Sequence, residues 1–290
     1  MPPFEYHAPD SLDEVLALLA EHGDEAKVLA GGQSLVPLLA MRLARPTQVI
    51  DINRVESLST VAERGDQIVF GATVRERTAE RSSTVRAQSP LLAEALPFIG
   101  HAAIRTRGTI GGTVAHADAS AEIPCVVAAL DGEVLVRSAS GERTIAAPDF
   151  FQGHFTTALA DDECVVEVRL PVADPSAGYA FQEIARRHGD FALVGVATMV
   201  SLGDDGLVAD ARISLMGVAD VPLRARAAEA ALVGAQPTED TFVAAAQAAT
   251  ADLRPASDVH GSAAYRTHLT GVIVRRALTT AGARARGEQA

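Results

Sequence analysis

The chain has 290 residues, 48% of them hydrophobic and 21% charged, a composition that supports packed domains and excludes intrinsic disorder. Twenty-five basic against 37 acidic residues leave a formal charge of −12, so a phosphate-neutralising surface would be built against the field of the whole molecule, and no nucleic-acid partner is expected. The two cysteines, Cys125 and Cys164, cannot supply the four thiolates of an ordinary iron–sulfur cluster or of an all-cysteine zinc site.

Both thiols are expected to be buried and reduced. The first residues, Met1-Pro2-Pro3-Phe4-Glu5-Tyr6, carry neither a basic nor an apolar leader region. No stretch approaches the roughly 18 apolar residues that span a bilayer, so a cytoplasmic location without a membrane span is expected.

In chain order, Ser11-Leu12-Asp13-Glu14 fits a capping box that starts a helix, with Leu12, Val15, Leu16 and Leu19 at helical spacing and Gly23 as its stop. A short buried strand over 27–30 then runs into Gly31-Gly32. Pro37 suits the first turn of a following helix, and 49–52 is the next strand. A strand over 68–70 precedes a second capping-box pattern, Thr73-Val74-Arg75-Glu76, and helices are expected over 91–98 and 123–130. Segments 133–136 and 143–145 read as a hairpin around Ser140-Gly141, and 164–170 alternates as a strand. Pro171, Asp174-Pro175-Ser176 and Gly178 are the most punctuated stretch and mark a domain boundary. Beyond it, 179–184, 192–202 and 207–216 read as three strands, helices are expected over 223–232, 239–251 and 265–278, and the tail from Gly282 is expected to fray. The resulting expectation is an α+β chain with segments 1–57, 58–173 and 178–285 as its units.

Two glycine-pair turns carry the chemistry. Ala30-Gly31-Gly32-Gln33-Ser34 and Gly108-Thr109-Ile110-Gly111-Gly112-Thr113 mix positions lacking Cβ with hydroxyl donors. Such turns permit positive φ and let successive amides converge on an anion, with Ser34, Thr109 or Thr113 adding a hydrogen bond. A pair of them suggests a diphosphate. Neither matches the Gly-x-Gly-x-x-Gly fingerprint or the lysine-containing phosphate loop, because Gln33 follows Gly32 and Thr113 follows Gly112.

These two turns, with Tyr179-Ala180-Phe181, Arg186-Arg187-His188-Gly189-Asp190-Phe191, Ala264-Tyr265-Arg266 and Arg275-Arg276-Ala277, resemble the FAD-binding medium subunit of molybdenum hydroxylases. That family includes the carbon monoxide dehydrogenase medium chain and the flavin domain of xanthine dehydrogenase. The resemblance covers almost the whole chain and rests on the order and spacing of the motifs. It implies a two-part FAD-binding domain of the vanillyl-alcohol-oxidase type, followed by a C-terminal domain of a three-stranded antiparallel sheet and helices.

It implies further that Ala30, Gly31, Gly32, Gln33 and Ser34, with Gly108, Thr109, Ile110, Gly111, Gly112 and Thr113, hold the FAD diphosphate. Lys27, Val28 and Leu29 would line the adenosine side, and Glu122 and Asp118 would lie near the flavin's sugar-like chain. Val165, Val166, Gln182 and Phe191 would approach the isoalloxazine. Relatives commonly carry histidine at the place of Gln33, asparagine at Thr113, tyrosine at Phe191 and in some cases lysine at Gln182, which bears on the flavin environment.

The implied function is an oxidoreductase subunit that passes electrons from two [2Fe–2S] clusters on a small partner subunit through FAD to an external acceptor. Substrate would react at a molybdopterin-type molybdenum cofactor on a large partner subunit, in a dimer of heterotrimers. No catalytic acid or base and no metal site is expected in this chain. His116-Ala117-Asp118 lacks a third ligand by spacing, and His101, His154, His188 and His268 stand singly. The competing reading is a self-sufficient flavin oxidoreductase acting directly on a small molecule.

Overall fold

A capped helix starts the fold where the capping box places it. In the computed structural model, which describes residues 1–288, Ser11 Oγ accepts from the Glu14 amide at 3.3 Å, and Glu14 returns a bond to the Asp10 amide at 3.2 Å. The helix Leu12–His22 follows and buries Val15, Leu16 and Leu19. Its apolar stripe joins Ala26, Ile50, Ile52, Val55, Leu58 and Cys164 in one core. Beside that core lies a three-stranded parallel sheet, in which Gln48–Asp51 sits between Glu5–His7 and Ala26–Leu29.

The alternating segments from 61 to 171 form a five-stranded antiparallel sheet. Its centre is Cys164–Pro171, flanked by Gln67–Gly71 on one side and Glu133–Ser138 on the other. Val61–Arg64 and Gly141–Ala146 are the two edges. A bulge between Val165 and Glu167 bends the central strand, and the Ala72 amide binds the Val166 carbonyl at 2.9 Å.

The second capping-box pattern does not form a cap. Thr73 is buried, Arg75 is the extended residue before the helix Glu76–Arg81, and Glu76 is therefore its first residue rather than its third. The Glu76 side chain turns inward instead of reaching back to the chain.

The chain divides into two compact units that do not follow sequence order. One comprises Met1–Ser82, Ala102–Ala117 and Gly132–Pro171, and the other Ser83–His101, Asp118–Asp131 and Val172–Ala290. In the second unit the sheet has four strands, not three, because Leu223–Arg224 pairs with Ser214 and Leu215 before the helix Arg226–Leu232 begins. Arg224 is held there by Glu229 and Asp131, both at 2.7 Å.

Ala192–Leu202, the central long strand, is buried along most of its length. The apolar residues of the sheet join Phe242, Ala245, Ile273, Val274 and Leu278 from the two long helices Glu239–Ala251 and Ala263–Ala285. Helix Glu122–Ala129 belongs to this unit, and Cys125 Sγ binds the Ser214 carbonyl at 3.2 Å. The last helix continues past Gly282, where fraying was expected, because Gly282 is buried at the Phe242 ring. The expected tail also includes 289–290, which lie outside the described residues.

Candidate functional site

The first glycine turn is built by the parallel strand before it. Ala26–Leu29 pairs with Gln48–Asp51 and delivers the chain to Ala30, leaving Lys27 exposed and Val28, Leu29 and Ala30 half-buried. Gly32 then takes φ +74°, which a side chain disfavours. At Gly31 the constraint is contact: a Cβ there would lie 2.5 Å from the Arg107 carbonyl oxygen and 2.9 Å from Gly108 Cα. The two glycine turns therefore touch backbone to backbone within one unit.

The turns differ in what they leave free. Among the described residues, no protein acceptor takes the amide N–H of Gly31, Gly32, Gln33, Ser34 or Leu35. The carbonyls of Gly32 and Ser34 accept from Val36 and Leu38 as the helix Leu35–Ala40 starts. In the second turn all the amides but that of Thr109 have protein acceptors among the described residues. Ile110 donates to Val74, Gly111 to Ala72 and Thr113 to the Thr109 carbonyl, while Gly112 donates to Thr109 Oγ1 at 3.1 Å. Convergent amides at both turns were the sequence expectation, but the structure leaves that run of unspent donors in the first. In the second turn the glycines serve close packing, since a Cβ on Gly111 would sit 2.6 Å from Ala72 Cα.

Three residues that sequence reasoning missed join the turns. Asn53 Nδ2 donates to the Ala30 carbonyl at 2.8 Å. Its Oδ1 accepts from Arg75 Nη2 at 2.5 Å, and Arg75 Nη1 donates to the Arg107 carbonyl at 2.5 Å. Burial, then the nearby Arg107 charge, holds Arg75 below the usual arginine range. Beneath the junction lies Glu76, only 2% exposed, whose Oε1 accepts from Thr113 Oγ1 at 2.9 Å. Desolvation pushes its carboxyl up to about 7, against the opposing effects of the Thr113 bond and the Arg105 charge. The pattern Thr73-Val74-Arg75-Glu76 flagged this glutamate, but for a different task.

The other residues singled out by the sequence fall in both units. Val165 is buried and Val166 half-buried at the bulge of the central strand, where Val166 packs on the core that also takes Val28 and Ala30. Asp118, Glu122, Gln182 and Phe191 belong to the second unit. Asp118 Oδ1 accepts from the Ser120 amide at 2.8 Å, and Gln182 lies on the strand Gly178–Ala185, opposite Val196. Phe191 is 76% exposed. Glu122, at the start of its helix, bonds to Glu183, whose carboxyl is pushed up to about 7, chiefly by burial.

A run of five amides without a protein acceptor among the described residues, backed by a second glycine turn, has the chemistry to suit the diphosphate of a dinucleotide. Comparison with known proteins agrees with that chemistry. The family described as "FAD binding domain in molybdopterin dehydrogenase" matches residues 2–173, and "CO dehydrogenase flavoprotein C-terminal domain" matches residues 179–281. The chain is 42% identical to the 6-hydroxypseudooxynicotine dehydrogenase complex subunit alpha of Paenarthrobacter nicotinovorans, covering 98% of this chain and 96% of that one. It is 40% identical to the carbon monoxide dehydrogenase medium chain of Hydrogenophaga pseudoflava, covering 98% of both. The solved structure of Hydrogenophaga pseudoflava carbon monoxide dehydrogenase lacking the Mo-pyranopterin moiety superposes with a TM-score of 0.95 at 42% identity, again over 98% of both chains. A donor set suited to a dinucleotide diphosphate, and family matches across both halves of the sequence, lead to one conclusion: this chain belongs to the FAD-binding subunits of the molybdenum-containing dehydrogenases.

Proposed function

We propose that this chain is the electron relay of a heteromeric molybdenum hydroxylase, taking electrons from [2Fe–2S] clusters on a small subunit and passing them through FAD to an external acceptor. A large subunit would carry the molybdenum cofactor, in a dimer of heterotrimers. The observation that carries the flavin part of this reading is the run of unspent amides from Gly31 to Leu35, placed against the backbone of Arg107 and Gly108, and the partner subunits rest on the likeness to a carbon monoxide dehydrogenase medium chain.

In this reading those amides bind the diphosphate oxygens, and Gly32 gives the loop the curvature that aims them. Asn53 and Arg75 fix the loop to its neighbour. Thr109 and Thr113 add hydroxyls, Lys27, Val28 and Leu29 line the adenosine side, and Val165 and Val166 form an apolar floor for the ring. The roles of Asp118, Glu122, Gln182 and Phe191 rest on the resemblance alone. When bound, FAD supplies a redox centre that takes electrons one at a time and releases them singly or in pairs. The polypeptide's part is binding, orientation and exclusion of water, with no acid–base step assigned to it.

The test is spectroscopic. Candidate substrates are expected to bleach the flavin only in a complex that also contains molybdenum and iron. Bleaching of the isolated chain would overturn the relay in favour of a self-sufficient oxidoreductase. A Gly32→Asp/Gly112→Asp variant is expected to lose its visible flavin spectrum, because two carboxylates would crowd and repel the diphosphate. Retention of a full flavin complement would remove the assignment of these turns.

A further inference from the structure

The junction of the two turns rests on a carboxyl group that the relay does not use. Glu76 opens the helix Glu76–Arg81 and is buried; its amide donates to the Gly108 carbonyl at 3.0 Å. A Cβ on Gly108 would lie 2.6 Å from Glu76 Cδ, and a Cβ on Gly31 would lie 2.9 Å from Gly108 Cα. The carboxyl is thus separated from the amide cradle by the thickness of one backbone. Oε1 accepts the Thr113 hydroxyl, whereas Oε2 is buried with no hydrogen-bond partner among the described residues. A buried carboxylate oxygen without a partner costs free energy, and a proton on the carboxyl relieves that cost.

The protonation state decides what Thr113 can offer. An ionised Glu76 is acceptor-only, so the single hydrogen of the Thr113 hydroxyl is committed to it and the outward side presents lone pairs. A neutral Glu76 can donate to Thr113 Oγ1 instead, which releases the hydroxyl hydrogen. The ionised form also places a negative charge directly behind a site for anionic oxygens.

We propose that Glu76 is a positioning residue for the FAD diphosphate, which it supports through Thr113 only while its own carboxyl is protonated. This inference rests on the flavin-binding reading above. Of the groups facing Glu76, the Arg105 charge favours the ionised form, but it is shared with Glu80. Arg105, from the helix Ala102–Arg105, is engaged by Glu80 through two bonds of 3.0 and 3.1 Å, and Arg77 binds Glu80 at 2.7 Å. Arg75 is turned to Asn53 and Arg107. From the helix Ile110–His116 the facing group is Thr113, and His116 ends that helix.

The experiment measures the FAD dissociation constant of the full-length chain by flavin fluorescence between about pH 5.5 and about pH 8.5, a range in which the FAD diphosphate stays fully ionised. For the wild type, affinity is expected to fall about tenfold with rising pH, with a midpoint near the raised value of about 7. Glu76→Gln keeps the size, and its amide donates to Thr113, so it should bind at every pH as tightly as the wild type does at low pH. Thr113→Ser should retain the slope, and Thr113→Val should bind weakly and without one. A flat wild-type profile, a slope that survives Glu76→Gln, or a slope abolished by His116→Gln would overturn the inference. Absence of FAD at every pH would instead overturn the cofactor reading on which it rests.

Discussion

Gly31 and Gln33 stand two residues apart, and the cradle asks opposite things of them. At Gly31 an added methyl meets the Arg107 carbonyl and Gly108 Cα, both backbone, so neither can move aside without parting the turns. Gly31→Ala is expected to raise the FAD dissociation constant at least about tenfold and to lower the melting temperature by several degrees. Gln33 is exposed, and its side chain donates only a 3.3 Å bond to the Gly31 carbonyl. Gln33→Ala should leave affinity within about twofold, because main-chain amides rather than the side chain do the binding. Titration with FAD checks both, and equal losses would contradict amide recognition. The glycine pairs were legible in the sequence, since few residue types accept such positions. Their partners Asn53, Arg75 and Glu76 were not, because each acts on a residue more than twenty positions away.

At the level of elements, periodicity located the central strand Cys164–Pro171, the long strand Ala192–Leu202 and the helix Glu239–Ala251 closely. It failed at Leu223–Arg224, where two residues become a strand because Arg224 is anchored by Asp131 and Glu229. A glycine packed against the last helix and one within it differ in cost. A Cβ on Gly178, on the strand Gly178–Ala185, would lie 2.6 Å from the Ala285 amide nitrogen, whereas one on Gly271 would meet only Thr250 Cγ2 at 3.7 Å. Gly178→Ala is expected to destabilise the chain by about 2–3 kcal/mol. Gly271→Ala is expected to stabilise it by up to about 1 kcal/mol, by removing a helix-interior glycine. Urea denaturation monitored by circular dichroism separates the two, and equal shifts would count against the strand–helix contact.

Across the whole molecule, burial has raised two carboxyls, Glu76 in one unit and Glu183 in the other, each to about 7. A carboxyl whose folded value exceeds its unfolded one contributes stability that is complete below the ordinary glutamate value and is lost as pH rises through the folded value. Glu80 and Glu163 are shifted downward by Arg105 and Arg143, so their contribution is already in place above the ordinary value. Between about pH 5 and about pH 8 the raised pair therefore sets the slope, and the melting temperature is expected to fall as pH rises. Ionising the folded Glu76 costs on the order of 3 kcal/mol more than ionising it in the unfolded chain. Calorimetry of a Glu76→Gln/Glu183→Gln variant should show a flatter profile with a higher melting temperature at about pH 8 than the wild type. A wild-type melting temperature that rises across this window would refute the account.

What the sequence determined by itself is whatever short-range chain chemistry encodes: the Ser11 cap, the alternation of the strands, and two glycine turns that place amides and hydroxyls at fixed points along the chain. The order of those turns and of the later motifs along the chain carried the resemblance that implied the cofactor and the family. Tertiary structure decided the rest. It divided the chain into units that ignore sequence order, left a run of five amides unspent in the first turn, and carried Glu76 from an expected helix cap to a buried place beneath the junction. The reason is that burial and hydrogen-bond saturation are properties of what surrounds a residue in space, and spacing along a chain specifies neighbours only over a turn or two of helix.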